Sequence, residues 1–430
     1  MAPSPSDDGS VSVANAPSRI VARQACDGCR SRKRRCTFKG DDAIHWANAG
    51  QASDVATSLR DIDYWDTVSH QKWASSYLLA LTFHQTGNTN LWRMLEVESM
   101  QLLRLLEVQN SSSYIGLDAI ETQLRKKAFW LMFYAYIHHT HSYRHERVTF
   151  LDPVILQEIN LEELMPVPVD DEFISCAGIL PCPEDISAKS MTAGFNIHSR
   201  IFSAARLQSP LCSCPQARDP TIRLARLKEQ LCHLKYMLDT VQPAYKPWKK
   251  SKSALTPASD DDSVRIIQRD IIRANIQTTH LWLQIVLLGQ IDNIISEQSV
   301  SASPPKDPAP HVAFGFLPPP FSQRQGQDAV CDERENICRE LLHTVHSFSR
   351  SALEPNGNGL VYKLRDIAVA LLPFSYEVHE ERSLRVREYL AELSELLSIL
   401  DVSEIVNTLS LQSWVDTSRN RTTDSPSTKQ

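Results

Sequence analysis

Apolar residues recur at three- and four-residue steps along most of the chain, the spacing of helices that bury one face. Between residues 61 and 110 the steps Trp73, Tyr77, Ala80, Leu81 and His84 predict one helix. The run Thr86-Gly-Asn-Thr-Asn90 interrupts it, and a second helix starts at Leu91 and passes through Met100, Leu103 and Leu106. The clearest helix is predicted over 118–141, with Asp118 as N-cap and Glu121 three residues on, approximating a capping box. Its expected inner face is Ile120, Leu124, Ala128, Leu131 and Ala135; Phe129, Trp130, Phe133 and Tyr134 widen it, and Arg125, Lys126 and Lys127 are expected to stay exposed. A short helix to about 164 then leads into Met165-Pro-Val-Pro-Val-Asp-Asp-Glu172.

The second half repeats the theme. Leu224, Leu227, Leu231, Leu234 and Leu238 make 219–240 amphipathic, and a polar linker follows over about 243–261. Ile267, Ile271, Ala274, Leu281, Ile285 and Leu288 share the face of a long helix over 263–296. Seven prolines between 299 and 330 read as a linker or surface loop. Helices are predicted again over 332–351, 358–374, 383–400 and 402–415. Leu390, Leu393, Leu397 and Leu400 fit either a dimer seam or ordinary core, and two turns of leucine favour core.

Composition adds little until its distribution is examined. With 42% hydrophobic and 22% charged residues, the 430-residue chain can bury a sizeable core. Only 13 glycines argue against a glycine-rich nucleotide-binding α/β fold. The start lacks a secretory pattern, and no uninterrupted 18-residue apolar stretch predicts a membrane span. Ten cysteines are too sparse for a disulfide scaffold, so reduced thiols are expected. The net charge of −6 conceals an asymmetry. Residues 19–40 hold eight cations (Arg19, Arg23, Arg30, Arg32, Lys33, Arg34, Arg35 and Lys39) against Asp27; that segment is +7 and the remainder −13. A basic block on an acidic body points to a polyanion partner or an import signal.

Three cysteines sit inside that block: Cys26-Asp-Gly-Cys29-Arg-Ser-Arg-Lys-Arg-Arg-Cys36. Cys-x2-Cys places two thiolates on one turn, as tetrahedral zinc requires, and a third can return after a short helix. The intervening cations lower thiolate pKa values and could face phosphates. The segment resembles the first half of the fungal binuclear zinc cluster, Cys-x2-Cys-x6-Cys followed by a second such triplet. The resemblance implies zinc held by Cys26, Cys29 and Cys36. It implies base contact in a CGG triplet by Lys33, and contacts mostly to phosphate by Arg30, Arg32, Arg34 and Arg35. The departure is the second triplet: after Cys36 the next cysteine is Cys176. Three thiolates leave one zinc a ligand short and the second zinc without a site, and small zinc modules need their metal to fold. His45 or Asp41 is a weak substitute as fourth ligand. The segment is therefore expected to be disordered as written, with the basic run still available as an import signal.

Further along, Glu121-Thr-Gln-Leu-Arg-Lys-Lys-Ala-Phe-Trp130, the Pro-Val-Pro-Val-Asp-Asp-Glu run and Gly194-Phe-Asn196 resemble, in order, the middle homology region of the same family. That likeness covers roughly residues 60–210 and implies an all-helical regulatory body. Cys36 lies only about 25 residues before the first matching helix, as though a stretch near 37–45 were missing. The expected fold is all-α, a large helical regulatory domain behind a truncated zinc-cluster segment. Its expected parts are a disordered N-terminus (1–18), a partial zinc-cluster segment (19–40), a linker (41–60) and the middle homology domain (61–298). A Pro-rich linker (299–330), C-terminal helices packing on the domain (331–415) and a polar tail (416–430) complete it.

Other constellations are weaker. His138, His141 and His145 step along one helix face beside His139 and fit ordinary interhelical or surface positions better than a metal. Cys212 and Cys214 read as a structural loop pair, and Cys331 and Cys338 as packing residues. No phosphate-binding glycine loop, dinucleotide fingerprint, nucleophile elbow or His-Glu-x2-His motif is present, so no enzyme is expected. Two readings remain. The first is a nuclear regulator of RNA polymerase II transcription of the zinc-cluster type, with zinc as cofactor and CGG-containing DNA, a second copy or family members as partners. The second is a regulatory protein of that descent that does not bind DNA. Neither involves a membrane.

Overall fold

The computed structural model describes residues 66–86, 88–141, 153–205, 219–246, 260–301, 321–376 and 380–400, with positions 51, 57, 58, 60, 64 and 151 besides. They are almost entirely helical. Helices α1 (His70–Gln85) and α2 (Thr89–Leu105) form an antiparallel pair, as the apolar steps predict. Ser69 Oγ caps α1 at Lys72 N (3.2 Å) and Asn88 caps α2, so the second helix begins at Thr89, inside the Thr86–Asn90 run read as an interruption. Glu98 of α2 holds the pair together: its carboxylate accepts from Ser76 Oγ of α1 (2.8 Å), Tyr64 Oη (2.5 Å) and Arg60 Nη1 (2.7 Å).

Helix α3 (Ala119–His141) starts where predicted, with Asp118 Oδ1 accepting from Glu121 N at 2.7 Å. Its inner face differs from the expected one. Ile120 and Leu124 are exposed, while Phe129, Trp130, Met132, Phe133 and Ile137 are buried. The aromatic stripe carries more apolar surface than the aliphatic one and turns the helix toward the core. Lys126 and Lys127 are half-buried rather than free, reaching the Glu163 carbonyl (2.7 Å) and Asp171 (3.2 Å). Helix α4 (Pro153–Glu158) is shorter than predicted and gives way to turns through Leu164.

The Pro-Val-Pro-Val run then crosses the buried helices, its backbone satisfied by their side chains. Trp130 Nε1 donates to Leu164 O (3.0 Å), Asn196 Nδ2 to Pro166 O (2.8 Å), and Gln123 Oε1 accepts from Val167 N (2.7 Å). One small antiparallel ladder qualifies the all-α expectation: β1 (Ile174–Ser175) pairs Ile174 with Ile179 and Ser175 with Gly178 of β2 (Gly178–Ile179). Short α5 (Glu184–Ser187) leads to α6 (Met191–Ala204), capped by Ser190 Oγ at Ala193 N (3.0 Å).

Helix α7 (Pro220–Tyr236) buries Leu227 and Leu234 as its leucine spacing predicts. The stretch after it is not all linker: Tyr245 is fully buried and its hydroxyl donates to Ser190 O at 2.5 Å. Gly194 makes room for that ring; a Cβ there would stand 2.6 Å from Tyr245 Cε1 and 2.7 Å from Ile272 Cγ2. Helix α8 (Asp260–Ser301), 42 residues and about 63 Å long, is the spine, with α6, α7, α9 (Phe321–Ser347), α10 (Arg350–Leu353) and α11 (Gly357–Leu371) packed on it. α9 begins at Phe321, directly after the last three prolines and inside the stretch expected to be loop. Helix α12 (Glu380–Leu400) packs on α9 and α11, with Arg382 paired to Asp332 (2.6 Å) and Arg385 to Glu335 (2.8 Å). Leu390, Leu393 and Leu397 are buried within this chain, which removes them from any dimer seam. One apolar core runs from Trp73 to Leu397; Ala80, Phe83 and Leu95 form a small separate one inside the α1–α2 pair. The predicted helix over 402–415 lies outside the described residues, and among those described no helix is long and apolar enough to cross a membrane.

Candidate functional site

The residues predicted to hold zinc (Cys26, Cys29 and Cys36) and to contact DNA (Arg30, Arg32, Lys33, Arg34 and Arg35) lie outside the described residues, as do His145, Cys212 and Cys214. Among the described residues no group of three or more His, Cys, Asp or Glu is placed to hold a metal ion. The chemistry that does converge lies in the core, where α3, α6, α8 and α11 meet.

Lys363 is its centre. It lies on the inner face of α11 between Leu360, Leu364 and Ile367, and is 3% exposed. Its Nζ meets two neutral oxygens of α8, Asn275 Oδ1 at 2.8 Å and Thr279 Oγ1 at 2.7 Å. A buried ammonium is normally matched by a carboxylate, because desolvating a lone charge costs far more than one hydrogen bond returns. Here burial pulls the amine down from its usual range to about 7. The same Thr279 hydroxyl lies 2.9 Å from His198 Nε2 of α6. His198 is wedged edge-on against Tyr134 and Phe202, and Tyr134 Oη lies 2.5 Å from Ser199 Oγ. A third base, His138 of α3, stacks on Trp282 of α8 with centroids 4.5 Å apart. Trp282 Nε1 in turn donates to Asp366 Oδ2 of α11 at 2.8 Å, one turn beyond Lys363.

Burial holds His138 and His198 well below the usual imidazole range, and the charge on Lys363 pushes both the same way. His141 and His280 are held near 4, again by burial first; His280 Nε2 donates to Leu234 O at 2.7 Å, which offsets part of that. His139 is occupied differently, 2.9 Å from Glu96 of α2. The histidines of α3 therefore serve three separate contacts, the interhelical use expected of them. Cys338 is fully buried, and burial pushes its thiol up to about 12; it is a packing residue.

Sequence reading names His138 and His141 here but misses Lys363, Asn275, Thr279 and His198. The available signal is polar side chains on otherwise apolar helix faces: Lys363 stands three residues after Leu360 and one before Leu364. Such a position reads equally as a lysine whose stem lies along the core and whose head reaches water. The arrangement is a set of bases from three helices, bridged by a hydroxyl and an amide. It can hold or release protons at Lys363 Nζ and His198, and each added charge must be accommodated without a carboxylate in contact. No protein family, no curated protein and no solved structure matches the chain, so the resemblance to zinc-cluster regulators rests on motifs in its sequence alone.

Proposed function

We propose that the chain is a transcription regulator of the fungal zinc-cluster type, nuclear, with a DNA-directed basic segment ahead of a helical regulatory body. The carrying observation is Cys26-x2-Cys29-x6-Cys36 interleaved with Arg30, Arg32, Lys33, Arg34 and Arg35 in a +7 segment on an acidic chain. Metal-type spacing and a basic reading helix rarely coincide by chance. The helical fold of the described residues is consistent with the regulatory half of such a protein. Zinc would organise the segment so that Lys33 meets base edges while the arginines meet phosphates, with affinity falling steeply as salt rises. Three thiolates supply three of the four ligands zinc takes.

The test is zinc content of the full chain together with titration of CGG-containing and scrambled duplexes at two salt concentrations. About one tightly bound zinc per chain and a preference for CGG support DNA reading, with Lys33→Ala relaxing that preference and Arg32→Ala weakening all duplexes alike. Substoichiometric zinc and equal affinity for both duplexes would remove it. That outcome leaves a second reading, favoured by the absent second triplet: a regulatory protein that acts through contacts with intact family members and not through DNA. A pull-down of such members by the full chain tests it, and no capture sinks it.

A further inference from the structure

Among the described residues no carboxylate contacts the buried Lys363, and that needs an account that the DNA-directed reading does not supply. As a neutral amine, Lys363 has two hydrogens, and both find acceptors in Asn275 Oδ1 and Thr279 Oγ1. Only a lone pair is left over. Thr279 Oγ1 then accepts from Lys363 and from His198 Nε2–H, and its own hydrogen is directed to Asn275 Oδ1 at 3.4 Å. As an ammonium, Lys363 carries a third N–H that neither oxygen receives, in a layer lined by Leu360, Leu364 and Ile367.

The charged groups on the neighbouring helices do not compensate it. His198 of α6 and His138 of α3 face it as further bases. On its own helix Asp366 receives Trp282 Nε1. Asp292 of α8 pairs with Arg334 of α9, at 3.1 Å, and Glu335 of α9 with Arg385 of α12. From α1, His84 packs against Tyr362 instead. Helix α11 is also where the α1–α2 pair docks: Asn358 Nδ2 donates to His84 O (3.1 Å), and Asn358 N to Gln85 Oε1 (3.3 Å).

We propose that the seam between α8 and α11 is a proton-operated latch, closed when Lys363 is a neutral amine and loosened when Lys363 takes a proton. Loosening frees the α1–α2 pair with it, because that pair is tied to the first turn of α11. The step is a plain protonation, R–NH2 + H+ giving R–NH3+, and needs no co-reactant. The device is independent of whether the N-terminal segment reads DNA.

The experiment is hydrogen exchange of α11 and α1–α2 amides in the full chain at pH 7.5 and 8.5, corrected for intrinsic rates. His138 and His198, which burial holds well below the usual imidazole range, stay neutral across that window. With the amine near 7 when buried and 10.5 when free, protection is expected to rise about eightfold between these two values. Lys363→Met keeps the side-chain volume and removes the titration, and should flatten that rise. Asn275→Asp places a carboxylate beside Nζ and should also abolish the step by keeping the ammonium paired, which provides a second variant should the first not fold. A flat wild-type profile, or a rise that survives in either folded variant, overturns the latch.

Discussion

The α1–α2 pair and the body around α8 differ in how much apolar surface they bury. The body buries Trp130, Phe133, Phe202, Trp282 and Leu393 in one continuous core. The pair has only Ala80, Phe83 and Leu95 in a core of its own and leaves Met94 72% and Leu78 62% exposed. It joins the body through Trp73, Met100, Leu102 and Leu103, which belong to the continuous core, and through polar and aromatic contacts: His139 to Glu96, Asn358 to His84, and Trp92 stacked on His139. Apolar burial grows with area and is indifferent to small shifts, while hydrogen bonds hold only at their geometry. The pair should therefore open more readily than the rest, while global unfolding takes the shared core down as one unit.

The largest expected effect tests the second half of that statement. Trp282→Ala should cost about 3–5 kcal/mol and lower the unfolding midpoint of the entire chain, pair included, in a urea titration followed by circular dichroism. A loss confined to one element would break the comparison. Acid should weaken the body. The folded body holds His141 and His280 neutral down to about 4, whereas the unfolded chain takes up their protons near 6.5. Between these values the unfolded state carries more protons at these two sites, so their contribution to stability is full above 6.5 and falls by a few kcal/mol as pH drops to 4. Urea midpoints at pH 7 and 4.5 measure it; equal midpoints would contradict neutral burial.

Gly194→Ala is next, at about 1–3 kcal/mol, because its methyl must displace the Tyr245 ring or Ile272. Thermal unfolding reads it, and an unchanged midpoint would mean that the ring yields freely. Glu96→Ala should cost about 1–2 kcal/mol, appearing as faster exchange in α1 and α2 while α8 keeps its protection. Equal acceleration in both would merge the two regions. Met94→Ser should stay within about 0.5 kcal/mol of wild type, since its side chain is already in water.

The same contrast explains what the sequence discloses. Helices α1, α2, α3, α7 and α8 are legible because their buried positions are large and apolar at helical spacing. α6 is not, since its inner face mixes Ile197, Ile201 and Phe202 with Thr192, Asn196, His198 and Ser199, which read as polar until the partner groups are known. The first turns of α9 are hidden by Pro318–Pro320, residues that mark a loop but also suit the approach to a helix start. Tyr245 is one aromatic in a polar run, and only the gap over Gly194 makes it core. On α3 the spacing admits two faces, and ring area decides between them. The candidate basic cluster is the least legible part, because a lysine's burial is a property of three other helices and of nothing near it in the chain. The zinc-type motif is the reverse: it is local, and is read from eleven consecutive residues.

The position of α12 has a consequence for how the protein is made. Leu390, Leu393 and Leu397 belong to the same core as Trp73, near the other end of the body. A ribosome delivering the chain in order exposes the apolar flank of α8 well before the helices that cover it exist. Until about residue 400 has left the exit tunnel, the growing body resembles a client for chaperones more than a finished domain. A stop codon that removes α12 should then deplete the protein from cells by degradation, even though every helix that carries the basic cluster has been translated.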